Sequence, residues 1–261
     1  MWQQTLTACL LVMTVWAFGW FTLAQMLRRN DIADVAWGPS FIVCCFAALY
    51  ANTGSLLPQT PPSIFVLTFV TVWGLRLSSH ILSRNWRKEE DYRYRQWRKE
   101  WGAWFLPRSF LQVFLLQAFL AIVVASPALA VLQNKTAELT ALVLLGAGLW
   151  LFGFLFEAVA DNQLKEFLSH KKAKDDVIES GLWKYSRHPN YFGEITQWWA
   201  MFVMALGASA AWGSVIGPAV ITLLIVKVSG IPLLEKKMRQ NPKYLAYAKK
   251  TSVLLPLPPK K

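Results

Sequence analysis

The sequence predicts an all-α, polytopic membrane protein, a single domain of seven transmembrane helices spanning residues 1–261. Three observations predict it. Hydrophobic residues make up 55% of the chain and charged residues only 16%, against about 25% charged in ordinary soluble domains. Seven apolar runs approach the roughly 20 residues that cross a bilayer as helix. The cations fall in alternate loops between those runs.

The runs are 6–27, 32–51, 64–83, 110–132, 139–160, 191–212 and 214–234. The first has no basic stretch ahead of it and no small-residue cleavage site, so it reads as a retained helix. Of the 27 lysines and arginines, 24 lie in the loops of one side, one (Lys135) on the other, and Arg76 and Lys227 within spans. Lys/Arg excess marks the cytoplasmic side. The N-terminus is therefore expected outside and the C-terminus in the cytoplasm; the resemblance described below implies a protein of the bacterial inner membrane. The segment 84–109 mixes Trp86, Trp97, Trp101 and Trp104 with bases, the composition of a helix lying at the membrane surface. Residues 161–190 read as a structured loop carrying Lys171, Lys172 and Lys174, and 235–261 as a cytoplasmic tail.

The net charge of +12 invites a nucleic-acid reading, but no zinc-finger spacing, arginine-rich run or helix-turn-helix pattern supports one. Cys9, Cys44 and Cys45 sit in apolar runs without disulfide or metal spacing and read as small core residues; no metal is expected. Gly146, Gly148 and Gly153 resemble a nucleotide loop only loosely. Inside an apolar helix they read as helix-packing positions.

Asp34, Arg76, Glu157, Glu194 and Lys227 are charged residues inside spans, each expected near the cytoplasmic end. A charge at the bilayer centre costs about 2.5–3.5 kcal/mol on insertion scales, so a shared polar cavity is one way to hold them, and snorkelling with mutual pairing is the other. Arg76, His80 and Arg84 follow i, i+4, i+8 on the third helix, and Glu157, Asp161 and Lys165 repeat that spacing on the fifth. Cations suit phosphates and carboxylates suit ribose hydroxyls; an interhelical salt bridge would use the same residues.

The densest stretch is Gly181-Leu-Trp-Lys-Tyr-Ser-Arg-His-Pro-Asn-Tyr-Phe-Gly-Glu194. Its G-x-aromatic-x-x-x-R-H-P-x-Y core resembles that of the integral-membrane superfamily of steroid 5-alpha-reductases, sterol reductases, isoprenylcysteine methyltransferases and phospholipid N-methyltransferases. Glu157-Ala-Val-Ala-Asp161 ahead of it, Trp198-Trp199 behind it, Asp31 to Gly38, Trp73-Gly-Leu-Arg76, Glu90 to Tyr94 and Ser229 to Glu235 are similar to a bacterial branch beside the 5-alpha-reductases. The resemblance implies NADPH held in a cytoplasm-facing cavity. It implies cofactor contacts at Arg76, His80, Glu157, Asp161, Lys165, Tyr185, Arg187, His188, Asn190, Tyr191 and Glu194. The same resemblance sets Trp73 where a proton-donating tyrosine is expected, Asp34 where a longer acid orients the substrate, and Ile231 and Glu235 where a histidine and a tyrosine stand. Asp34 and Tyr92 are then the catalytic candidates, with Tyr94 a further possible proton donor, and Trp37 and Trp73 line the substrate. The expected activity is reduction of an activated carbon–carbon double bond in a lipid, isoprenoid or steroid-like molecule. S-adenosylmethionine-dependent methyl transfer and non-catalytic lipid binding are the alternatives.

Overall fold

The computed structural model describes residues 2–86, 88–171, 173, 175–209 and 212–260. Lys172 and Lys174 of the expected loop lie outside the described residues. Every regular element among those residues is helical. An isolated bridge between Ser186 and Ser252 is the sole extended pairing among them.

Six helical runs are long and apolar enough to cross a membrane: Trp2–Leu27, Ile32–Thr53, Pro61–Asn85, Tyr92–Val124, Ala141–His170 and Trp212–Met238. They fit an integral membrane protein. The other expected crossing is a helix over Pro189–Gly207, but its 19 residues include Asn190, Glu194, Thr196 and Gln197, which lower its mean hydropathy. Two further expectations shift. The fifth run does not end at residue 160; its helix continues to His170, so the first third of the expected loop is helical. The fourth begins as helix at Tyr92 and closes at Val124, and a short helix, Ser126–Gln133, follows with proline in its first turn.

The chain divides into two compact units. The first, residues 1–143 with 205–214, contains α1 (Trp2–Leu27), α2 (Ile32–Thr53), α3 (Pro61–Asn85), α4 (Tyr92–Trp101), α5 (Phe105–Ser109), α6 (Leu116–Val124) and α7 (Ser126–Gln133). Its turns follow local chemistry. Gly54 takes φ +71° and donates to the Tyr50 carbonyl, closing α2 with a left-handed cap. Thr60 and Ser63 form a reciprocal capping box, and Pro61 and Pro62 fill first-turn positions that need no N–H. Asp91 caps α4 by accepting from the Arg93 amide at 2.9 Å.

α2 is the central helix of this unit, packed against α1, α3, α6 and α7. It crosses α3 backbone to backbone. A Cβ added to Gly38 would lie 2.2 Å from the Gly74 carbonyl oxygen, and one on Gly74 would lie 2.7 Å from that of Gly38. Without a hydrophobic drive between helices in lipid, such small-residue contacts are a principal source of packing energy. Cys9, Cys44 and Cys45 are all free and fully buried. Leu11, Val15 and Phe18 of α1 instead face outward, as a lipid-contacting face requires.

The second unit, residues 144–204 with 215–261, is built from α8 (Ala141–His170), α9 (Pro189–Gly207), α10 (Ile216–Leu223), α11 (Ile231–Met238) and α12 (Pro242–Lys250). α8 and α9 cross on glycine. A Cβ on Gly153 would lie 2.8 Å from the Gly193 carbonyl oxygen, and one on Gly146 2.8 Å from the Met204 amide. Gly148 meets open space. Two of the three glycines in the loose nucleotide-loop pattern therefore serve helix packing.

Candidate functional site

In the second unit the α8–α9 crossing gathers the polar residues of both helices. Gly193 lets α9 approach so closely that a Cβ there would lie 2.6 Å from the Glu157 amide. Glu157, Asp161, Glu194 and Gln197 are all buried. The Asn190 side-chain amide donates to Asp161 Oδ1 at 3.2 Å, and that of Gln197 to Glu157 Oε2 at 2.6 Å and to the Gly193 carbonyl at 3.3 Å. The structure thus brings together four of the expected cofactor residues at this crossing: the buried carboxylates Glu157, Asp161 and Glu194 and the half-buried Asn190, whose amide donates to Asp161. Lys165, one turn beyond Asp161, is exposed. Gln197 was not expected; its only trace in the sequence is a polar residue one turn after Gly193 in an otherwise apolar run.

A short turn, Gly181–Lys184, leads into this cluster. Gly181 has φ +60°, and a Cβ there would clash with the Gln163 side chain. Gln163 Oε1 accepts from the Leu182 amide at 2.9 Å, and the Trp183 indole donates to the Ala160 carbonyl at 3.1 Å. The turn is therefore anchored on α8 just beside Asp161.

Arg187, one of the expected cofactor contacts, is engaged within the chain. Its Nε donates to Glu235 Oε1 at 2.9 Å, its Nη2 is 2.8 Å from the same oxygen, and its Nη1 donates to the Ala248 and Thr251 carbonyls. All three nitrogens are engaged within the chain, on a side chain only 9% exposed. Glu235 also accepts from Tyr244 at 3.1 Å and Arg239 at 3.2 Å, and lies 3.4 Å from His188 Nε2. Burial holds the His188 pKa below its ordinary value, against the pull of Glu235. The His188 ring stacks on Tyr191 at 5.6 Å. Burial also pushes the Tyr244 and Tyr247 hydroxyls up. Tyr185 is exposed, beneath Lys184 at 5.8 Å.

The chain end completes this knot. Arg187 N–H donates to the Ser252 carbonyl, Ser186 Oγ to that of Leu254, and Leu257 N–H to that of Tyr185. Lys243 bridges Asp175 and Asp176, each at 2.9 Å.

In the first unit Asp34, half-buried, accepts from the Tyr94 hydroxyl at 3.3 Å and faces Arg93 at 3.7 Å. Tyr94 is buried, whereas Tyr92, the residue expected to act with Asp34, is 50% exposed. The pair is braced from behind. Arg29 holds Asp31 at 2.8 Å, and the buried Asn30 binds Glu90 through its amide at 2.7 Å and Ser109 through its side chain at 2.9 Å. Trp73 is buried edge-on against Phe41 at 5.3 Å, and Phe41 packs on Trp37 at 4.9 Å. Arg76 and His80 stand one turn apart on α3, both half-buried. No cluster of three or more metal-ligating side chains occurs among the described residues.

Comparison with known proteins gives a family and one relative. Residues 20–251 match a family described as "Protein of unknown function (DUF1295)". The chain is 24% identical over 169 residues to "Uncharacterized protein C594.04c" of Schizosaccharomyces pombe, covering 56% of this chain and 49% of that protein. The chain thus spans about half the length of this relative. No solved structure matches.

Proposed function

The chain belongs to the DUF1295 family, and we propose that it is a membrane reductase that uses NADPH to reduce an activated carbon–carbon double bond in a lipid. The observation that carries the reading is the cluster of three buried carboxylates, Glu157, Asp161 and Glu194, with the half-buried Asn190 at the α8–α9 crossing. Buried carboxylates concentrate acceptor oxygens at one place; a ligand rich in hydroxyl and amide donors, such as two riboses and a carboxamide, matches them. The donor set fits the group. Asp161 and Glu157 would take ribose hydroxyls, Asn190 and Glu194 the carboxamide, and Lys165 and Lys171 the phosphates. When bound, NADPH supplies a hydride.

Arg187 and His188 enter this reading as positioning residues: through Glu235 they fix the turn that opens α9 and presents Asn190. For the substrate, we assign Asp34 and Tyr94 to the polar group conjugated to the double bond. The Tyr94 hydroxyl gives its one proton to Asp34 in the resting chain and would have to turn it to the substrate oxygen as negative charge develops there. Trp37 and Trp73 give the apolar wall. We also assign α9 as the seventh crossing, since 19 residues span about 28 Å as helix, close to the hydrocarbon thickness. We likewise assign the C-terminus to the cytoplasmic side, on the charge alternation of the loops.

Calorimetry in detergent tests the cofactor. NADPH is expected to bind the wild-type protein, and Asp161→Ala with Glu194→Ala to weaken it at least tenfold, about 1.4 kcal/mol. Absence of NADPH binding alongside clear S-adenosylmethionine binding would overturn the proposal.

A further inference from the structure

We propose that the exposed side of the segment from Trp86 to Arg108 is a docking surface for anionic phospholipid headgroups. The inference is independent of the reductase reading and stands on how charge is divided between the two faces of α4.

The inner face is settled. Tyr94 is buried, and Trp97 stacks on Trp101 at 5.1 Å. The cations on that side each have a carboxylate: Arg93 has Asp91 at 3.0 Å and Asp34, and Arg98 has Glu90 at 3.2 Å. Arg98 also lies 4.2 Å over the Phe105 ring. These groups hold the helix and are not available to a partner.

The outer face is not balanced. Arg95 pairs with Glu89, and Glu100 takes the Gln96 amide. Lys88, Lys99 and Arg108 are exposed, and no carboxylate among the described residues lies within ion-pair range of them; Arg108 lies 6.0 Å from the Trp101 ring centroid. Between them project Trp86, 71% exposed, and Trp104, 66% exposed. Two large exposed indoles among unpaired cations are unfavourable in water. They suit the layer where rings rest at the edge of the hydrocarbon and cations meet phosphate.

Chain continuity selects the occupant. The segment runs directly into the apolar helix that ends at Val124, in one 33-residue candidate crossing, so it leaves the protein at the bilayer edge. A nucleic acid or acidic protein would answer the cations but leave the indoles in water. All phospholipids carry a phosphate, but only anionic ones answer three unpaired cations with net charge, and a juxtamembrane cation is attracted to such a surface.

The test uses the full-length protein reconstituted in phosphatidylcholine vesicles with spin-labelled phosphatidylglycerol or phosphatidylcholine as probe. The expected result is a preference for phosphatidylglycerol of more than about twofold, lost towards unity in Lys88→Ala/Lys99→Ala/Arg108→Ala and reduced in the wild type by molar salt. A triple variant with undiminished preference, or a wild type without preference, overturns the proposal. Should the variant fail to fold, the wild-type salt series decides: a preference that survives molar salt also overturns it.

Discussion

Single residues in this protein differ by what surrounds them more than by what they are. Gly38 and Gly19 are both glycines in apolar helices, yet a Cβ at Gly38 strikes the Gly74 backbone and one at Gly19 meets nothing within 4 Å. In a helix interior, alanine gains about 1 kcal/mol over glycine, whereas overpacking a tight contact costs about 1–3 kcal/mol. Gly38→Ala is therefore expected to lower the thermal midpoint in detergent, and Gly19→Ala to leave it unchanged or raise it. Equal effects from the two would contradict the close crossing. The same dependence separates the tyrosines. The sequence reading sets Tyr92 beside Asp34, with Tyr94 second; the helical register of α4 instead turns Tyr94 inward to the carboxylate. Spacing alone could not choose between them, because the choice depends on where Asp91 starts the helix.

Elements show how a motif can be legible while its use is not. The Gly181 to Glu194 stretch is the densest feature of the sequence, and the structure does place it at the turn entering α9. What the residues do there was only half visible. Asn190 and Glu194 join Glu157 and Asp161 at the crossing. Arg187 instead anchors α11 and α12 through Glu235 and two carbonyls, contacts made with residues 48 to 64 positions away. Removing one partner of a buried ion pair strands the other at a cost of about 3–5 kcal/mol. Glu235→Ala should thus destabilise the protein by roughly that amount. Glu235→Gln, which keeps an acceptor of the same shape, should cost less. Chemical denaturation in mild detergent would show it, and an Ala variant as stable as wild type would refute the anchoring role. α9 carries the polar residues of this cluster, so its mean hydropathy is lower than that of the six candidate spans.

For the whole molecule, the charge arithmetic makes a global statement. With 24 of 27 cations on one side, the orientation is expected to be N-terminus outside and C-terminus inside. A fluorescent protein fused after residue 260 should fluoresce, and alkaline phosphatase fused at Lys135 should be active; the reverse pattern would overturn the topology. The all-helical, membrane-type architecture, most helix positions and the free buried cysteines follow from the sequence itself, because apolar length and 3.6-residue periodicity are local properties that lipid enforces on any backbone. Partner choice was decided only by tertiary structure. Glu157 could equally have met a lysine or Gln197, Arg187 a phosphate or Glu235, and Asp34 either tyrosine. Those pairings are set by glycine crossings and chain-end contacts between distant residues, and a buried charge takes whichever partner the packing brings within about 3 Å.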